Sequence, residues 1–253
     1  MSMDHRRQCD LLAGELDRLA AAVEAADAGA GVPGCPEWSV ADLARHVGTV
    51  HRWAAHHVRT LSPKRIPSST LGIEEPEDPG ALPGWLRAGG DELLQTLRAA
   101  DPDAGMWAWG ADQHARFWSR RMLHETAIHR ADAEQAMGQH PVFDAEVAAD
   151  AIDELLENLP RAAYFSPGVV ELKGKGETFA LSADTGARWL IELGPEGYSW
   201  SRPGDGDATV ELRGPLVSLV LAIYRRQRPD ENGLTVRGDR TVLDHWLANS
   251  ALQ

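Results

Sequence analysis

The stretch Arg120-Arg-Met-Leu-His-Glu-Thr-Ala-Ile-His-Arg-Ala-Asp-Ala-Glu134 decides how the rest of the chain is read. It holds neither Gly nor Pro, and Ala, Leu, Met, Arg and Glu dominate it, so it reads as helix. Glu125 and His129 are four residues apart, which puts a carboxylate and an imidazole one turn apart on one helical face. Such a pair has two readings. The two groups can share a divalent metal, or they can belong to a solvated face whose ion pairs contribute only about 0.2–0.5 kcal/mol each. The HExxH zinc-protease signature does not apply. His124 and His129 are five apart, and Glu125 is a ligand candidate, not a base between two ligands.

Working outward, residues 4–27 carry Leu11, Leu12, Leu16, Leu19 and Val23 at helical spacing, and the Gly-rich stretch 29–34 stops that helix. Ser39 with Asp42 three later forms a capping pattern. A second helix follows over about 40–60, with Leu43, Val47, Val50 and Ala54 on one side. It holds His46, His51, His56 and His57. His46 and His51 lie roughly 140° apart around the axis, and His46 and His57 are about 16 Å apart along it, so only one of these histidines can join a given site. His46, nearest the apolar stripe, is the third ligand candidate. His51, His56, His57, His114 and His124 are expected at the surface. Two histidines and one carboxylate leave coordination positions open for water or substrate, the catalytic pattern for zinc. A structural zinc site would more often use cysteine, and neither Cys9 nor Cys35 has a partner at ligand spacing. Cys35 is expected as a buried structural thiol.

Residues 61–82, rich in Pro, Gly and acidic side chains, read as an exposed loop, and a third helix fits 83–100. The loop 101–110 carries Trp107 and Trp109, which either line a pocket mouth or anchor packing; Trp38 and Trp53 read as core. The fourth helix, about 113–137, contains the opening stretch, and four helices with inward polar residues are a standard setting for a bundle metal. After Pro141 the pattern changes. A helix over 144–159 is followed by period-two segments at 169–173, 178–182, 188–193, 198–201 and 209–213, then a helix over 216–226, a short strand at 234–237 and a last helix over 241–249. The expected architecture is α+β with two domains: a four-helix bundle over 1–142, then an α+β domain with a mostly antiparallel sheet over 143–253.

The 253-residue chain is ordinary for a soluble protein in apolar (43%) and charged (25%) content. A net charge of −13 argues against nucleic acid as partner, since phosphate binding wants a basic face. The most apolar run, Leu216 to Tyr224, is too short to span a bilayer, and no apolar signal segment opens the sequence, so no membrane partner and a cytoplasmic location are expected. Scarce lysine beside abundant Arg, Ala and Gly fits a GC-rich genome such as an actinobacterium's. Monomer and homodimer are both open.

Two segments then carry a family resemblance. Cys35-Pro-Glu-Trp-Ser-Val-Ala-Asp-Leu-Ala-Arg-His46-Val-Gly and Phe117-Trp-Ser-Arg-Arg-Met-Leu-His-Glu125-Thr-Ala-Ile-His129-Arg-Ala-Asp-Ala-Glu134 resemble the mycothiol-dependent maleylpyruvate isomerase family. The resemblance implies a DinB-like metal-binding four-helix bundle followed by a sterol-carrier-like α+β domain. It places the metal ligands on His46, Glu125 and His129, with zinc as the implied ion and mycothiol as the small-thiol cofactor or cosubstrate. It further implies a small electrophilic substrate, to which thiol addition permits cis–trans isomerisation or thiol transfer. A maleyl-type dianion needs cationic receptors. Arg120, Arg121 and Arg130 lie near the ligands in sequence, either in that role or pairing with local carboxylates. Asp132 either orients a ligand imidazole or pairs with a helix neighbour. The C-terminal domain either closes over the bundle site or holds an apolar ligand. A metal-dependent hydrolase and a non-enzymatic binding protein are the competing functions.

Overall fold

The computed structural model describes residues 3–251, which form two compact units divided between Val142 and Phe143. The first unit is built from helices α1 (His5–Ala25), α2 (Val40–Thr60), α3 (Leu82–Ala99) and α4 (Ala115–Ala136). Between α1 and α2 runs a small hairpin of β1 (Gly31–Val32) and β2 (Cys35–Ser39). The Gly-rich stretch read as a helix stop therefore also folds into this hairpin. Its second strand runs directly into α2, where Ser39 and Asp42 form the capping box read from the sequence.

Helices α1 and α2 each pack against both α3 and α4. The fourth helix is not amphipathic. Sixteen of its 22 residues are buried, including Arg121, His124, His129, Arg130 and Asp132. A polar block that reads as one face of a surface helix thus lies inside the bundle, where each polar group needs a partner. Helices α2 and α3 approach closely at Gly48. A Cβ there would lie 2.1 Å from the Trp85 ring, so only glycine fits.

The second unit has α5 (Ala145–Asn158), strands β3 (Thr178–Ala183), β4 (Arg188–Gly194), β5 (Gly197–Ser201) and β6 (Val210–Gly214), then α6 (Leu216–Ile223), β7 (Thr235–Gly238) and α7 (Arg240–Asn249). The sheet order is β5-β4-β3-β6-β7. Only β3 and β6 pair in parallel; the other three pairings are antiparallel. Its core includes Trp246, fully buried between Phe179 and Tyr198. The strand expected at 169–173 is instead a 3-10 segment, Pro167–Glu171. Pro167 lacks an N–H and fixes φ, which suits the first position of a helical turn, and the segment closes through i→i+3 bonds such as Leu172 N–H to Val169 C=O. Among the described residues no helix is long and apolar enough to cross a membrane.

Candidate metal centre

The bundle brings together the three side chains singled out in the sequence. His46 comes from the second turn of α2, and Glu125 and His129 come from α4. One ligand atom from each lies within 4.8 Å of the other two. His46 Nε2 is 3.3 Å from Glu125 Oε1, and His129 Nε2 is 3.2 Å from the same oxygen. The other oxygen, Oε2, accepts a 2.9 Å hydrogen bond from Arg121 Nη2. His129 Nδ1 lies 2.9 Å from Asp132 Oδ2. An ionised carboxylate only accepts, so Nδ1 carries the proton of that bond and Nε2 is left to face Glu125. Asp132 is fully buried and Arg121 nearly so, while the side chains of His46 and Glu125 keep 34% and 18% exposure, so the cluster opens to solvent.

Charge follows this geometry. Burial alone would raise the pKa of Glu125. The His129 charge, hydrogen bonds from both imidazoles and the Arg121 charge outweigh it and hold the carboxyl well below its ordinary range. Burial likewise pulls His129 down, but Glu125 and Asp132 reverse that and raise the imidazole to about 9. Without metal, then, a carboxylate faces an imidazolium. A divalent cation can take the place of that proton once the His129 imidazole is neutral. Two imidazole nitrogens and one carboxylate oxygen form a donor set suited to zinc, with positions left open.

Other expected residues fall elsewhere. Arg130 is not at the cluster. It is almost fully buried, and its guanidinium bonds Glu15 Oε2 (2.6 Å), Glu134 Oε2 (2.6 Å) and the Val142 carbonyl (2.9 Å), tying α4 to α1. His51, His57 and His124 are fully buried, contrary to the surface position expected of them. His51 Nε2 sits 3.0 Å from Thr126 Oγ1, and burial pushes its pKa down to about 3, so it stays neutral. His57 stacks on Trp118 (5.7 Å) within a ring cluster that includes Trp53 and Trp107, which makes Trp107 a packing anchor. Trp109 instead lies with its ring 5.8 Å from the Arg121 guanidinium. Trp38, read as core, is half-buried and belongs to the site. Its ring is 4.7 Å from that of His46 and 6.1 Å from that of His129. Its place just before the cap of the helix that carries His46 was the available signal. Cys35 is half-buried against the apolar core, and Cys9 is buried with its thiol pushed up to about 11 by burial.

A bundle with a three-residue, solvent-open donor set, joined to an α+β unit, defines the class. Residues 9–134 match the mycothiol maleylpyruvate isomerase N-terminal domain, and residues 146–245 match the MDMPI C-terminal domain. The chain belongs to the mycothiol-dependent maleylpyruvate isomerase family. Among solved structures, the mycothiol-dependent maleylpyruvate isomerase superposes with a TM-score of 0.58 at 17% identity, covering 92% of this chain and 93% of that one. A point mutant of that isomerase gives 0.59 at 16% identity with the same coverage. At these identities the likeness shows the shared two-part fold. No curated protein sequence matches the chain.

Proposed function

We propose that this protein is a metal-dependent enzyme that uses mycothiol to act on a small electrophilic substrate, as a cis–trans isomerase of the maleylpyruvate type or as a thiol transferase. One observation carries the reading: His46, Glu125 and His129 present their ligand atoms within 4.8 Å of one another, at a solvent-open point, in a chain of this family. We assign the metal chemistry to residues 1–142. The role of residues 143–253 lies outside the donor set.

His46, Glu125 and His129 would hold the ion, zinc by their donor types. When bound, such a metal lowers the pKa of a thiol or water that completes its shell, supplying a nucleophile near neutral pH. The chain's own residues set up that position. Asp132 fixes the His129 tautomer and keeps Nε2 turned to the cluster. Arg121 grips Glu125 Oε2, which leaves Oε1 between the two imidazoles. Arg121 also brings positive charge to the site, which favours an anionic substrate such as a dicarboxylate.

The test uses zinc-loaded protein and maleylpyruvate, with conversion followed by ultraviolet absorbance. Turnover is expected only when mycothiol is present. Thiol transfer without isomerisation would place the enzyme on the transferase side of the same reading. Turnover of an ester or amide panel without any thiol would contradict thiol use and favour activation of bound water.

A further inference from the structure

The three ligand side chains are not held in the same way. Arg121 grips Glu125, and Asp132 grips His129. His46 turns Nε2 toward Glu125, but among the described residues its Nδ1 has no hydrogen-bond partner. It is also the most exposed of the three, at 34%. The χ2 torsion of histidine is broad, so an imidazole without a bond on its far nitrogen can swing Nε2 off the cluster. Ligand histidines usually donate that other N–H to a fixed partner.

What meets the His46 ring instead is Trp38. The two ring centroids are 4.7 Å apart at an interplanar angle of 49°. The same indole stacks 6.1 Å from His129, at 25°. Trp38 is itself held from two directions. It lies on β2, paired in the hairpin, one residue before Ser39, whose capping box fixes the start of the helix that carries His46. It also packs against the apolar core formed by α1, α2 and α3 residues such as Leu19, Leu43 and Leu86.

We infer that Trp38 is a positioning residue of the metal centre, doing for His46 by ring packing what Asp132 does for His129 by hydrogen bonding. This rests on the metal reading given above. The flat indole limits rotation of the His46 ring and keeps both ligand nitrogens converged, so the strand-to-helix junction becomes part of the site.

The experiment compares Trp38→Leu, which keeps apolar bulk but loses the flat face, with Trp38→Phe, which keeps a flat ring. Zinc affinity is measured by competition with a chromogenic chelator. The leucine variant is expected to bind zinc about tenfold more weakly or worse, the size of effect seen when an outer partner of a ligand is lost. The phenylalanine variant should largely recover wild-type affinity. Trp85→Leu, in the same core but without a ring contact to the ligands, controls for stability and should keep wild-type affinity. Wild-type affinity in a folded Trp38→Leu protein overturns this inference and leaves the metal site standing. A wild-type protein that binds no zinc overturns the metal reading, and this inference with it. If the leucine variant does not fold, the His46 ring protons of the metal-free wild type decide. Resonances displaced by the indole ring current support the inference, and ordinary exposed-histidine positions overturn it.

Discussion

His129 is held by a residue, Asp132, that ligand spacing alone does not mark. Asp132 is fully buried and hydrogen-bonds the ring nitrogen of His129 that faces away from Glu125. Asp132→Asn should therefore weaken zinc binding about 10- to 100-fold, measured by chelator competition, because the amide no longer supports the ligand as an ionic acceptor. The pH dependence has a definite sign. His129 is raised from an ordinary 6.5 to about 9 in the metal-free protein, so its contribution to stability is complete below pH 6.5 and is lost as pH rises through 9. Zinc binding should run the other way, since an ion held by His129 would have to displace its proton and would gain affinity over the same window. Urea denaturation of metal-free protein at pH 6.5 and 9, beside zinc titrations at both, checks the opposed trends. At this scale the sequence allowed two readings of Glu125 and His129, because spacing cannot tell a solvated face from a buried one. The resemblance pointed to His46, Glu125 and His129 as one set, and the bundle brings these three side chains together. The resemblance could not give Arg130 its place, since Glu15 lies 115 residues away on another helix.

The element that matters most is α4, and its burial explains both what was legible and what was not. The helical segments of the bundle were readable from period and caps, and their bounds agree with the structure to within two residues or so. Hidden from any such reading was that α4 packs on several sides, so that Arg121, His124 and Arg130 are interior. The hairpin before α2 was equally hidden, since two- and five-residue strands leave little periodicity. Two substitutions test the packing. Arg130→Ala should destabilise the protein by about 3 kcal/mol, because it leaves Glu15 buried with only the exposed Arg18 beside it. Gly48→Ala should cost about 1–3 kcal/mol by driving a methyl into the Trp85 ring. Chemical denaturation reads both. Zinc affinity should be unaffected by Arg130→Ala if Arg130 serves the fold and not the site.

At the scale of the whole chain, the two units divide structure from assigned chemistry. The matched family domains run across both, and the two-part fold is shared with the solved isomerase. The α+β unit was legible as a class because most of its strands alternate and are set off by Gly-containing turns. Its single parallel pairing, β3 with β6, was not, since strand partners at that separation leave no local signal. The donor set that carries the functional reading lies wholly in the first unit. The proposed chemistry requires that donor set to hold a metal. The most direct measurement is elemental analysis of purified protein and of His129→Ala, with folding of both checked by circular dichroism. One zinc per wild-type chain is expected, with loss of most of it in the variant. Full zinc stoichiometry in folded His129→Ala, or none in the wild type after zinc loading, would contradict the assignment of His46, Glu125 and His129 as the metal site.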